Sequence, residues 1–229
     1  MAGPHDGLPV LMEGEPLERA AAAMILIHGR GANARDILTV AAAVAEPGFA
    51  YLAPEAAGDT WYPNRFMEPL ASNEPWLSSA LETVGRVLAL VETHLPAENV
   101  ILLGFSQGAC LSLEFAARNA RRYGGLVGFT GGLIGPDDTP REYAGSLDGT
   151  PVFLGCSDID PHIPVGRVSL TADVLEKLGG KLTVEIYPRM GHEVNAHELD
   201  HLRQMMAALP RRDEVGKQTE PLVPFRRRA

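Results

Sequence analysis

Asn99-Val-Ile-Leu-Leu-Gly-Phe-Ser-Gln-Gly-Ala-Cys-Leu-Ser-Leu-Glu-Phe-Ala-Ala-Arg118 carries two periodicities in succession. Val100 to Leu103 is an unbroken apolar run, the pattern of a strand buried on both faces. Beyond Gly104-Phe105-Ser106-Gln107-Gly108, the residues Cys110, Leu111, Leu113, Phe115 and Ala116 recur at helical spacing. A strand that passes into a helix this abruptly needs a very tight turn, with a serine at its apex. In such a Gly-x-Ser-x-Gly turn the serine backbone is strained, and the bare glycines let strand and helix approach. The turn is expected to lift the Ser106 hydroxyl clear of the sheet. It also leaves the Gln107 N–H at a helix N-terminus, aimed at an incoming carbonyl oxygen.

On either side of this stretch, apolar runs alternate with amphipathic ones. Residues 22–27 read as a buried strand, followed by the glycine-punctuated loop His28-Gly29-Arg30-Gly31-Ala32-Asn33. Asn33 is a good cap for a helix over residues 34–45. Strands are expected at 49–53, 125–130, 151–155 and 181–187, and helices at 76–94, 165–178 and 195–208. Residues 1–20 suggest a short edge hairpin. This alternation predicts an α/β fold with a mostly parallel sheet and helices on both faces. Ligands of such sheets bind at the carboxyl ends of the strands. The His28 loop, Ser106, the Asp158/Asp160 pair and Gly191-His192 all fall at such ends.

Residues 55–75 have little periodicity but concentrate Trp61, Tyr62, Phe66, Met67 and Leu70. Aromatics in a long loop point to an ordered, lid-like segment, so Trp61, Phe66 and Leu70 are candidate pocket residues. The chain has 229 residues, 45% of them hydrophobic and 21% charged, which suits one globular domain over 1–210. Residues 211–229 read as a loose tail, or as an arm docking on a neighbouring copy in a homodimer. A net charge of −9 argues against nucleic acid or anionic membranes as partners. Two cysteines make no disulfide framework. The N-terminus lacks the pattern of a signal peptide, and the apolar run at 20–27 is too short to span a bilayer. These readings predict a soluble cytoplasmic protein.

A serine is a weak nucleophile at neutral pH. It needs a base, and the base needs an acid to hold its tautomer. The chain order of serine, carboxylate, histidine is that of the α/β-hydrolase arrangement. His192, in a Gly-His turn after the last strand, is the candidate base. Asp158 and Asp160 compete as the acid. Asp160 is preferred because Pro161 biases it to an extended backbone and stiffens its loop. A second oxyanion donor is expected from the loop after the first buried strand, through the Arg30 amide. His197-Glu-Leu-Asp-His201 matches the His-Glu-x-x-His zinc pattern. At ~100° per residue, however, Leu199, Leu202, Met205, Met206 and Leu209 share one arc and both histidines fall opposite, on the expected solvent face. No third ligand is evident, so no metal site is assigned. Cys110 is read as core packing.

These motifs together resemble the carboxylesterase/phospholipase family of α/β-hydrolases, which includes acyl-protein thioesterases and small bacterial esterases. The resemblance runs from about Ile25 to Leu209. It rests on Ile27-His28-Gly29-Arg30-Gly31, Ala53-Pro54-Glu55-Ala56, Gly104-Phe105-Ser106-Gln107-Gly108-Ala109, Asp160-Pro161-His162-Ile163-Pro164 and Gly191-His192. It implies Ser106 as nucleophile, Asp160 as acid, His192 as base, and Arg30 and Gln107 as the oxyanion hole. Eukaryotic thioesterases carry His-Gly-Leu-Gly-Asp where this chain has His28-Gly29-Arg30-Gly31-Ala32. Together with Trp61-Tyr62-Pro63 and Asn73-Glu74-Pro75-Trp76, this points to the bacterial branch and a small-molecule ester. Serine at 106 argues against dienelactone hydrolase activity, which uses cysteine there. The expectation is a cofactor-free serine carboxylesterase acting on short- to medium-chain acyl esters. Thioester or lysophospholipid cleavage by the same residues is the alternative, and a non-catalytic ligand-binding relative is a minor one.

Overall fold

A computed structural model describes residues 3–210. The tail at 211–229, and its expected docking on a neighbour, lie outside the described residues. The apolar runs form strands β1 (Val10–Gly14), β2 (Ala22–Ile27), β3 (Phe49–Pro54), β4 (Val100–Phe105), β5 (Gly125–Phe129), β6 (Pro151–Ser157) and β7 (Lys181–Tyr187). They make one sheet in the order β1-β3-β2-β4-β5-β6-β7. β1 runs antiparallel to β3, and the other neighbouring strands are parallel.

Helices α1 (Ala34–Ala43) and α5 (Ala196–Ala207) cover one face. Ile37, Leu38, Leu202 and Met206 pack there on Met24, Leu26, Tyr51, Leu103 and Val127. Helices α2 (Trp76–Glu92), α3 (Gln107–Arg118) and α4 (Val165–Lys177) cover the other. Their Leu77, Leu88, Leu113 and Val168 belong to the same core as Ile25, Ile27, Leu52 and Leu102. Strand side chains alternate between these two cores, which is why the central strands read as continuous apolar runs. Each buried Leu, Ile or Val stabilises the sheet by about 2 kcal/mol relative to exposure.

The N-terminal region differs from expectation. It forms the single edge strand β1, paired with β3, rather than a hairpin. Helix α1 also stops short of residue 45, where the Val44 amide turns back to Ala41 O at 3.1 Å. The 55–75 segment contains two 3-10 turns, Ala57–Asp59 and Leu70–Asn73. His5 pins it from the N-terminus: Nδ1 accepts from the Ala57 amide at 3.1 Å and Nε2 donates to Trp61 O at 2.9 Å.

Candidate active site

β4 enters α3 through Ser106, whose φ of 55° and ψ of −118° lie outside the usual regions for a residue with a side chain. Such strain costs on the order of 1–3 kcal/mol and persists only when the surroundings enforce it. The enforcement comes from close backbone approach. A Cβ at Gly104 would meet Gly108 O, and one at Gly108 would meet the carbonyls of Ile27 and His28. Helix α3 can therefore start directly against β4 and β2. The Ser106 amide donates to Phe129 O at 3.0 Å, which ties the turn to β5. Gln107 is the first residue of α3, so its amide has no acceptor within that helix.

The structure brings together residues far apart in the chain. His192 Nε2 lies 2.9 Å from Ser106 Oγ, and His192 Nδ1 lies 2.7 Å from Asp160 Oδ2. The Asp160 carboxylate is fully buried, while the His192 ring is 21% exposed. The other oxygen, Asp160 Oδ1, accepts from the amides of His162 and Ile163, both at 2.8 Å. This fixes the carboxylate. With Asp160 ionised, Nδ1 carries the imidazole proton and the Nε2 lone pair faces the serine hydroxyl. Asp158 takes a different place: its Oδ1 accepts from the Arg189 amide at 2.7 Å. It supports the turn before His192, and Ser157 Oγ, which accepts from the Gly191 amide at 3.2 Å, does the same.

Ser106 and His192 open on a cavity of about 530 Å³, bounded also by Arg30, Tyr62, Phe66, Cys110 and His162. Of the three expected pocket residues, Phe66 lines it. Trp61 stands behind the wall, fully buried, with Nε1 donating to His28 O at 2.9 Å. Leu70 packs against the core instead. Tyr62 and His162 line the cavity beyond the three expected residues. His162 is marked in the sequence only as the residue after Asp160-Pro161, and its ring stands 4.8 Å from that of His192. No hydrogen bond of the Arg30 amide is found among the described residues. Burial pushes the Cys110 thiol up to about 12, so it stays protonated and offers no rival nucleophile. His28 is buried and lowered by desolvation. Its Nδ1 donates to Gly29 O at 2.8 Å and its Nε2 accepts from the Ala56 amide, so the ring supports the loop.

The His-Glu-x-x-His segment needs a correction. His197 is exposed and bonded to the Tyr187 hydroxyl at 2.9 Å, but His201 is half-buried, stacked on Phe153 at 4.5 Å. Glu198 is fully buried. Helix α5 lies closer to the sheet than an apolar-arc estimate allows, because Gly155 leaves room beneath Glu198. Burial raises the Glu198 carboxyl to about 7. Among the described residues, no group of three or more His, Cys, Asp or Glu side chains is placed to share a metal ion.

Residues 14–209 match the family model described as phospholipase/carboxylesterase. The chain is similar to a phospholipase/carboxylesterase of Dyadobacter fermentans, with 38% identity and a TM-score of 0.85 over 90% of this chain and all of that one. Acyl-protein thioesterase 1 of Gibberella zeae is 29% identical over 125 residues, 51% of this chain and 50% of that protein. Its counterpart in Debaryomyces hansenii is 31% identical over 111 residues, 48% of each. The chain thus spans about half the length of these thioesterase relatives.

Proposed function

The chain belongs to the phospholipase/carboxylesterase family of α/β-hydrolases, and from that premise we propose that it is a serine carboxylesterase acting on short- to medium-chain acyl esters. The observation that carries the reading is the hydrogen-bonded series Ser106 Oγ, His192 Nε2, His192 Nδ1, Asp160 Oδ2, at 2.9 and 2.7 Å. Ser106 Oγ attacks the ester carbonyl carbon while its proton passes to His192 Nε2. Asp160 stabilises the imidazolium. The negative charge on the former carbonyl oxygen faces the Arg30 and Gln107 amides. His192 then protonates the leaving alkoxide, and the alcohol departs. Water, deprotonated by His192, attacks the acyl-enzyme and releases the acid and free Ser106. No cofactor or metal enters these steps.

A cavity of about 530 Å³ accommodates an acyl group of modest length. The thioesterase relatives support a second reading, in which a thioester replaces the ester and the thiolate leaves. A panel of p-nitrophenyl esters from acetate to octanoate, run beside acyl thioesters, separates the two. Wild type is expected to prefer the esters and to react with a fluorophosphonate. Ser106→Ala is expected to lose both activities, and hydrolysis that survives the change would falsify the assignment. Both cysteines are free and buried, which fits the cytoplasmic location we propose. Among the described residues, no helix is long and apolar enough to cross a membrane.

A further inference from the structure

The side chains of Arg30 and Gln107 converge on one short segment. Arg30 Nη1 donates to Pro63 O at 2.8 Å and Nη2 donates to Asn64 O at 2.6 Å. The guanidinium also lies 5.9 Å from the centroid of the Tyr62 ring. Gln107 Oε1 accepts from the Trp61 amide at 2.9 Å and from Thr60 Oγ1 at 3.3 Å, while Nε2 donates to Tyr62 O at 2.8 Å. Residues 61–64 are thus each held through a backbone group by one of these two side chains, one in the loop after β2 and one at the start of α3, beside the ties of His5 Nε2 to Trp61 O and of the Asn64 amide to Asn73 Oδ1 at 2.8 Å. The Gly31 amide, donating to Asp59 O at 2.7 Å, adds a further tie from the Arg30 loop. Tyr62, Pro63 and Asn64 in turn form part of the cavity wall.

We infer that Arg30 and Gln107 are positioning residues through their side chains, and that segment 60–64 is a strut that sets the separation of their two amides. The inference rests on the reading of Ser106 as nucleophile. The Arg30 amide belongs to the loop after β2 and the Gln107 amide to the elbow after β4. Donors that must meet one developing oxyanion gain their effect from being fixed in advance. A displacement of the order of an ångström costs roughly 100-fold in rate. The 60–64 segment bridges the two loops, so it is a fixed wall rather than a moving lid.

The test uses Arg30→Met, Arg30→Lys and Gln107→Leu, which all keep the backbone amides. Steady-state hydrolysis of p-nitrophenyl butyrate is measured with inhibition by an alkyl boronic acid, which forms a tetrahedral serine adduct. Arg30→Met and Gln107→Leu are expected to lower kcat roughly 10- to 100-fold. KM should move less than about threefold, and boronate affinity should fall with kcat. Arg30→Lys, which can reach one carbonyl, should fall between Met and wild type. The double variant should lose less than the product of the single losses, because both act on one strut. Unchanged kcat, a rise in KM alone, or fully multiplicative losses would overturn the strut. Arg30 is exposed, so its variants carry the test if Gln107→Leu does not fold. Wild type lacking Ser106-dependent hydrolysis sinks the functional reading and the strut with it. An active wild type with unaffected variants sinks only the strut.

Discussion

The carboxylate of Glu198 lies against the bare Cα of Gly155, in the space a side chain there would fill: a Cβ would sit 2.9 Å from Glu198 Cδ and 3.1 Å from Cγ. Glu198 also closes the start of α5, accepting from the Asn195 amide at 2.8 Å while Asn195 Oδ1 accepts from the Glu198 amide at 3.0 Å. The helix that follows the His192 turn is thereby seated on the strand that feeds the Asp160 turn. Gly155→Ala should push α5 outward and cost about 1–3 kcal/mol, lowering Tm by several degrees. Hydrolysis should fall as well, because the His192 turn moves with the helix. Thermal unfolding with Tm unchanged would show that the Glu198 seat does not hold α5.

Glu198 makes stability depend on pH in an unusual direction. Its carboxyl is raised by burial from 4.5 to about 7. Between those values the folded chain binds more protons than the unfolded one, so stability falls as pH rises. The contribution is fully present below about 4.5 and is lost as pH passes about 7. At ~1.4 kcal/mol per unit, the change is on the order of 3 kcal/mol. Glu198→Gln keeps an acceptor for the Asn195 amide and cannot ionise. Its stability relative to wild type should rise from pH 5 to about 7 and level off above that in urea unfolding. A flat difference would contradict the buried neutral acid.

His5 and His28 act in the opposite sense. Desolvation lowers both rings from the ordinary 6.5. Each also has a ring nitrogen accepting a backbone N–H, from Ala57 and Ala56 respectively. Protonation would set N–H against N–H. The unfolded chain binds protons below 6.5 before the folded one does, so this stabilisation is present above 6.5 and lost as pH falls through the lowered values. His5→Leu should be less stable than wild type at pH 7, and the gap should narrow towards pH 5. Denaturation midpoints across that range measure it.

Asp158 and Asp160 should separate cleanly by kinetics. Asp160→Asn leaves a neutral amide beside His192 Nδ1, which favours the wrong tautomer. A loss on the order of 10⁴ in kcat is expected. Asp158→Asn keeps an oxygen for the Arg189 amide and should cost less than about tenfold. Comparable losses in the two variants would mean that Asp158 shares the role assigned to Asp160.

Much of this arrangement is legible in local pattern. Strand, elbow and helix around Ser106 follow from apolar periodicity and two glycines, because backbone sterics act over a few residues. That Asp160 rather than Asp158 meets His192 is legible by the same kind of reasoning, since Pro161 stiffens the turn that aims its carboxylate. The Glu198 seat was hidden, because the pattern around it gives helix phase but not the depth at which α5 rests on β6. The placement of Trp61 and Leu70 away from the cavity is hidden for a related reason. An aromatic-rich segment signals burial without saying which side chains face the cavity and which face the core.

The amino-acid sequence by itself determined the α/β alternation, the strained serine and the order in which serine, aspartate and histidine meet the strand ends. Only the tertiary structure decided that Ser106 and His192, 86 positions apart, stand 2.9 Å from each other. It alone placed the Gln107 side chain on Trp61 and Tyr62, 46 and 45 positions away. Periodicity and turn chemistry arise from interactions between near neighbours, and these are written into consecutive residues. Hydrogen-bond partners across loops depend on how whole elements stack, which is set by side-chain volume, including the absence of a side chain at Gly108 and Gly155.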